Sequence, residues 1–147
     1  KTRKDKDKHF RTLVRLAKRW RHFHAIAGLK SFHIELILGY LVDRDGAANS
    51  IEQRFREFLA YIAQTQLSER IDFPENEGKP KSAFSDPVII IDPASPENNV
   101  ASRITQAEKE NIAKAAEISL DTATYASVEN DIEIWQEIFG PRFKTRD

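Results

Sequence analysis

Residues 31–44 read SFHIELILGYLVDR. Ile34, Leu38 and Leu41 form a stripe at helical spacing, and Leu36, Ile37 and Tyr40 widen it. A helix apolar around so much of its circumference sits centrally in a bundle rather than on its surface. Ser31 is a candidate N-cap, and Asp45-Gly46 ends the segment. The flanking stretches are helical as well. Upstream, residues 4–25 (KDKDKHFRTLVRLAKRWRHFHA) place Phe10, Leu13, Val14, Ala17 and Trp20 on one arc and Arg11, Arg15, Lys18 and His22 on another, with Gly28 as a stop. Downstream, Asn49 or Ser50 can cap a third helix that carries Ile51, Phe55, Phe58, Leu59 and Ile62 and runs to about Leu67.

Residues 68–87 are polar and contain Pro74, Gly78 and Pro80, so they read as a long loop. PVIIID (87–92) is an extended run, followed by a proline-rich turn, DPASPENN. Thr105 with Glu108 fits a capping box that opens a long helix. Ile112, Ala115, Ala116, Ile118, Ala123 and Ala126 give that helix a small-residue face, and Ile134, Trp135, Ile138 and Phe139 precede Gly140-Pro141. The expected fold is mostly α: a single helical domain over residues 1–147, a bundle of about four to six helices with one short extended insert.

The composition narrows the function classes. There is no Cys, hence no disulfide and no thiolate chemistry. No apolar run approaches the roughly 20 residues of a membrane span, and the N-terminus lacks a signal-peptide core, so a cytoplasmic protein without a membrane partner is expected. Met is absent and the chain opens on Lys1, which suggests part of a longer polypeptide. The formal net charge is zero, yet residues 1–30 hold eleven Lys/Arg against two Asp, and the rest holds twelve against twenty-one acidic residues. Such polarity steers anionic ligands to one end.

Catalytic motifs are missing. His9, His22, His24 and His33 show no metal-ligand spacing and are expected at surface or half-buried helical positions. Asp43-Arg44-Asp45 has a D-x-D spacing, but it ends a helix rather than lying along a strand edge, where i and i+2 share a face. The five glycines are dispersed, so no Gly-rich phosphate loop exists. No catalytic and no metal-binding residue is assigned. What remains is an anion site: Lys18 at the border of an apolar and a basic helix flank, the hydroxyl of Ser31 with the free N–H groups of the helix opening there, and Phe32 as a ring for stacking on a base.

The segments LVRLAKRWRH, GLKSFHIELILGYL, PVIIIDPASPENNVASRIT and IWQEIFGPRF, in that order, resemble the C-terminal helical domain of template-independent nucleotidyltransferases. That family includes oligoadenylate synthetases, cyclic GMP-AMP synthase, poly(A) polymerases and, nearest in character, the bacterial CD-NTases that make oligonucleotide signals. The resemblance implies a helical lobe that binds the donor nucleoside triphosphate, with ATP expected, beside an N-terminal catalytic α/β lobe that this sequence does not contain. It implies that Lys18 binds phosphate, that Ser31 contacts the terminal phosphates, and that Phe32 stands where the family often has a tyrosine on the donor base. Mg²⁺ is expected in the catalytic lobe, and no cofactor is expected on this chain itself, which leaves its activity alone undecided. Asp92, Pro93, Asn98, Asn99 and Val100 match the turn before the last helices and read mainly as structural, with a role near the nucleotide as the alternative. Two other readings compete. One is a freestanding basic module that binds nucleic acid through Arg11, Arg15, Lys18, Arg19 and Arg21; the other is a ligand-free scaffold.

Overall fold

The computed structural model describes residues 3–144. In chain order the elements are α1 (Arg3–Lys6), α2 (Phe10–Phe23), α3 (Ser31–Asp45), α4 (Ile51–Thr65), a 3-10 turn (Pro74–Asn76), β1 (Ile91–Asp92), β2 (Ser95–Asn99), α5 (Gln106–Glu129) and α6 (Ile132–Phe139). The protein is mostly α with one short extended insert, as the spacings predict. α3 is central: Ile34, Ile37, Leu38 and Leu41 are all buried. Trp20 of α2 joins three helices at the core. Its indole Nε1–H donates to Ser119 Oγ of α5 at 2.9 Å, and its ring stands edge-on to Phe58 of α4 at 5.9 Å. Burying an indole without a partner for its N–H would forfeit a hydrogen bond, so Ser119 is what permits a tryptophan there.

Capping chemistry sets the helix starts. Ser50 accepts the Gln53 N–H at 3.0 Å, and Thr105 and Glu108 exchange two hydrogen bonds in the expected box. Ser31 does not cap α3. The N-cap is Lys30, in extended backbone, and Ser31 is the first helical residue. The basic N-terminal stretch is not one helix either. It breaks between α1 and α2 because the buried Asp7 carboxylate turns inward, accepting the N–H of His9 at 2.9 Å and of Ala48 at 3.3 Å.

The buried row of α5 runs Ile112, Ala116, Ser119, Ala123 and Ala126. Ile118, expected on that face, is 58% exposed, because the three-residue step from Ala116 lands on Ser119 and the four-residue step from there on Ala123. The insert also differs from a plain turn. Residues Ser95–Asn99 form a strand antiparallel to β1, pairing Asn99 with Ile91 and Ser95 with Asp92 across an irregular register. Ile71 joins alongside, donating to Ile89 and accepting from Ile91. Pro96 fits because β2 has β1 as its only sheet partner among the described residues.

Candidate functional site

The α2–α3 seam carries the first group of candidate residues. Arg21 Nη1 donates to Ser31 Oγ and to the Leu29 carbonyl, both at 3.2 Å, so the serine hydroxyl is held against α2. Further along, Phe10, Arg11, Val14, Arg15 and Glu35 line a shallow groove between the two helices. Lys18 lies one helical turn from Val14 and Arg15 and one turn from Arg21, and Ser31 lies one turn from Glu35. Both therefore belong to this seam. Lys18 is half-buried, as expected of a border lysine, and its ammonium has no partner among the described residues. Arg11, Arg15 and His22 are exposed.

Not all of the basic helix is available. Arg19 Nε donates to the Phe139 carbonyl at 2.9 Å, and His24 Nε2 donates to the Ile138 carbonyl at 3.0 Å. These are last-turn carbonyls of α6, orphaned by helix geometry and favoured by positive charge. Arg19, Arg21 and His24 thus serve the fold, which removes Arg19 and Arg21 from the set of free phosphate contacts.

The first turn of α3 holds the second group. Phe32 is 47% exposed, so it is not a core residue. Its ring leans on that of His33, with centroids 4.3 Å apart. His33 departs from expectation: it is neither at the surface nor half-buried, but 3% exposed. The Lys30 N–H donates to His33 Nδ1 at 2.9 Å, which leaves Nε2 protonated and donating to the Val100 carbonyl at 2.9 Å. The imidazole is neutral with its tautomer fixed, and it closes the helix start as a glutamate does in a capping box. Burial pushes its pKa below the ordinary 6.5; the Lys30 charge acts the same way, against the Val100 carbonyl.

His33 ties α3 to the insert, which is itself locked by amides. Asn99, 3% exposed, accepts the N–H groups of Ile90 and Ala101 and donates to the Val88 carbonyl and to Asp86. Asp92 accepts from the Ala94 N–H and from Asn98 Nδ2, and its carbonyl accepts from Asn76 Nδ2. Asp92 and Asn99 thus tie down the backbone of the insert. Between the insert and the start of α3 lies a cleft of about 660 Å³, whose walls include Phe32, His33, Lys30, Asn98, Val100 and Arg103. That volume suits a small-molecule ligand. Gly28 also lines it, at φ +90°, and a Cβ there would meet the Glu108 carboxylate at 2.8 Å. The sequence reading missed this cleft.

Both D-x-D carboxylates face arginines. Asp43 receives Arg3 at 2.7 Å and Asp45 receives Arg44 at 2.8 Å. Among the described residues no three His, Asp or Glu side chains gather as a metal site needs.

No protein-family model matches the chain. It is, however, 54% identical over 147 residues to the CBASS oligonucleotide cyclase CdnC of Escherichia coli (strain KTE188), covering 100% of this chain and 46% of that protein. It is also 38% identical over 146 residues to the cyclic AMP-AMP-AMP synthase of Escherichia coli (strain MS 115-1), covering 93% of this chain and 46% of that protein. By sequence, the chain is homologous to the bacterial CD-NTases. The solved structures agree. The chain superposes on E. coli MS115-1 CdnC with ATP at a TM-score of 0.83 and 35% identity, covering 94% of this chain and 46% of that one. The TM-score is 0.82, again at 35% identity, for the CdnC:HORMA-deltaN complex, where it covers 94% of this chain and 47% of that one. The CD-NTase resemblance read from the sequence is thereby borne out, and the chain spans about half the length of the curated relatives it matches. Among the described residues no helix is long and apolar enough to cross a membrane.

Proposed function

We propose that this chain is the helical, donor-nucleotide-binding lobe of a template-independent nucleotidyltransferase that makes an oligonucleotide second messenger for antiviral signalling, with ATP as donor. The observation that carries the proposal is that the half-buried Lys18, without a partner among the described residues, lies one turn from Arg21, which holds the Ser31 hydroxyl, while the next residue, Phe32, is exposed. The CD-NTase relatives named above, one of them solved with ATP, support it.

Phosphoryl transfer is mostly positioning and charge neutralisation. In this reading Lys18 neutralises the donor phosphates, Ser31 donates its hydroxyl proton to a phosphate oxygen while still accepting from Arg21, and Phe32 offers a face to the base. Metal-binding carboxylates and Mg²⁺ would come from a catalytic α/β lobe, the partner this lobe requires. Titration of the full-length protein with ATP tests the reading. Lys18→Ala should weaken binding at least tenfold while leaving the melting temperature unchanged, whereas equal affinity would remove Lys18 from the site.

Arg11, Arg15 and His22 favour one second reading, because they are exposed on the same flank of α2. They would contact nucleic-acid phosphates. With about two or three contacts, log K should fall against log salt with a slope of roughly −2 to −3. A salt-independent affinity would dismiss it.

A further inference from the structure

We infer that Asn98 reads the edge of the base stacked on Phe32 and selects adenine; this rests on the nucleotide reading above. Three observations carry it. The first is where the pleat directs neighbouring side chains. Successive strand residues face opposite sides, and Asn99 faces the interior, where its amide is fully used. All three of Asn98, Asn99 and Val100 reach the cleft wall, but Asn98 is the exposed one and Asn99 meets it while buried.

The second is the orientation of the Asn98 amide. Its Nδ2 donates to Asp92 Oδ2 at 3.3 Å, and Asp92 is itself held by the Ala94 N–H. This bond assigns the nitrogen end and leaves Oδ1 and one amide N–H without partners among the described residues. A free acceptor beside a free donor complements the adenine edge, where an exocyclic amine lies next to a ring nitrogen. Guanine puts a carbonyl acceptor in place of that amine, so Oδ1 would meet another acceptor. The third is proximity. The His33–Val100 hydrogen bond joins the residue after Phe32 to the residue two beyond Asn98, so ring and amide flank one cleft. Ser102 and Arg103 on the same rim are exposed, and Arg103 and Lys30 outnumber the one carboxylate of the cleft, Glu108, which the Thr105 N–H engages, so the cleft favours an anionic ligand.

Competition between ATP and GTP in the full-length protein tests the inference. Asn98→Ala should reduce the preference for ATP by about tenfold, in kcat/KM or in affinity, while Lys18→Ala weakens both nucleotides alike. In the unaltered protein, photolabelling with an 8-azido analogue of ATP should mark the segment 98–104. That readout stands even if a variant fails to fold. If ATP binds but Asn98→Ala keeps the full preference and the label falls outside 98–104, the base-reading role is overturned and the nucleotide reading survives. If neither nucleotide binds the unaltered protein, both are overturned.

Discussion

The Nε2–H of His33 donates to the carbonyl of Val100 at 2.9 Å, across 67 residues of sequence. This contact joins the start of α3, which carries Ser31 and Phe32, to the insert that carries Asn98. Because the same ring accepts the Lys30 N–H, it can serve both partners only while neutral. Protonation places a proton on Nδ1 and breaks the Lys30 bond. Stability should therefore fall in acid. The folded-state pKa is depressed, so the contribution is fully present above the unfolded value near 6.5 and is lost as pH falls through the lower folded-state value. Chemical denaturation between pH 7.5 and 5 should show a steeper loss for the unaltered protein than for His33→Gln. Parallel curves would refute the coupling.

Asn99 should be the most sensitive polar residue of the insert. Asn99→Ala strands the buried N–H groups of Ile90 and Ala101, which both rely on its Oδ1. A loss of about 2–4 kcal/mol is expected from urea denaturation, since buried donors without partners are costly. Asn98→Ala, at an exposed position beside it, should change stability by less than about 1 kcal/mol.

Gly28 should not tolerate a side chain. Its φ of +90° is unfavourable for an L residue, and a Cβ would press on the Glu108 carboxylate at 2.8 Å. Glu108 is engaged with the Thr105 N–H, so it cannot yield without opening the α5 cap. Gly28→Ala should lower stability by about 1–3 kcal/mol. Adding Glu108→Ala should recover part of that loss if the clash contributes, a non-additivity measurable by thermal melts.

Local patterns made most of the fold legible. The apolar circumference of α3, the Ser50 cap and the Thr105–Glu108 box depend on residues within a few positions of one another. The seam was legible for the same reason, since Lys18 and Ser31 each sit at a readable helical border. The cleft was not. Its two walls meet only through His33 and Val100, and a histidine in the third helical position lacks the familiar sequence signature of a capping box. Which of Asn98 and Asn99 turns inward depends on the register of β2, which a two-residue partner strand cannot announce. The Asp7 break is equally non-local, because its second partner is Ala48.

Lys18→Ala should separate binding from folding. The ammonium has no internal partner among the described residues, so its removal should leave the melting temperature nearly unchanged. The lost charge-assisted contact is worth roughly 1.5–3 kcal/mol, which corresponds to about 10- to 150-fold weaker donor binding. Lys18→Arg should recover only part of this, because a forked guanidinium replaces a compact point charge.

Phe32→Ala tests the other half of the proposed donor site. A residue that is 47% exposed contributes little burial, and its ring leans on the His33 imidazole at the surface of α3, so the fold should lose at most about 1 kcal/mol. If a base stacks on this ring, its loss should weaken nucleotide binding by about 1–3 kcal/mol. Phe32→Tyr and Phe32→Trp keep the π-face and should bind within a few-fold of the unaltered protein. Phe32→Leu keeps apolar bulk without the π-face and should follow the alanine variant. Calorimetric titration of this series with ATP and with inorganic triphosphate distinguishes stacking from general packing. The triphosphate carries no base, so its affinity should be the same in all five proteins, and a parallel loss of both ligands would show that Phe32 acts only through the shape of the α3 start.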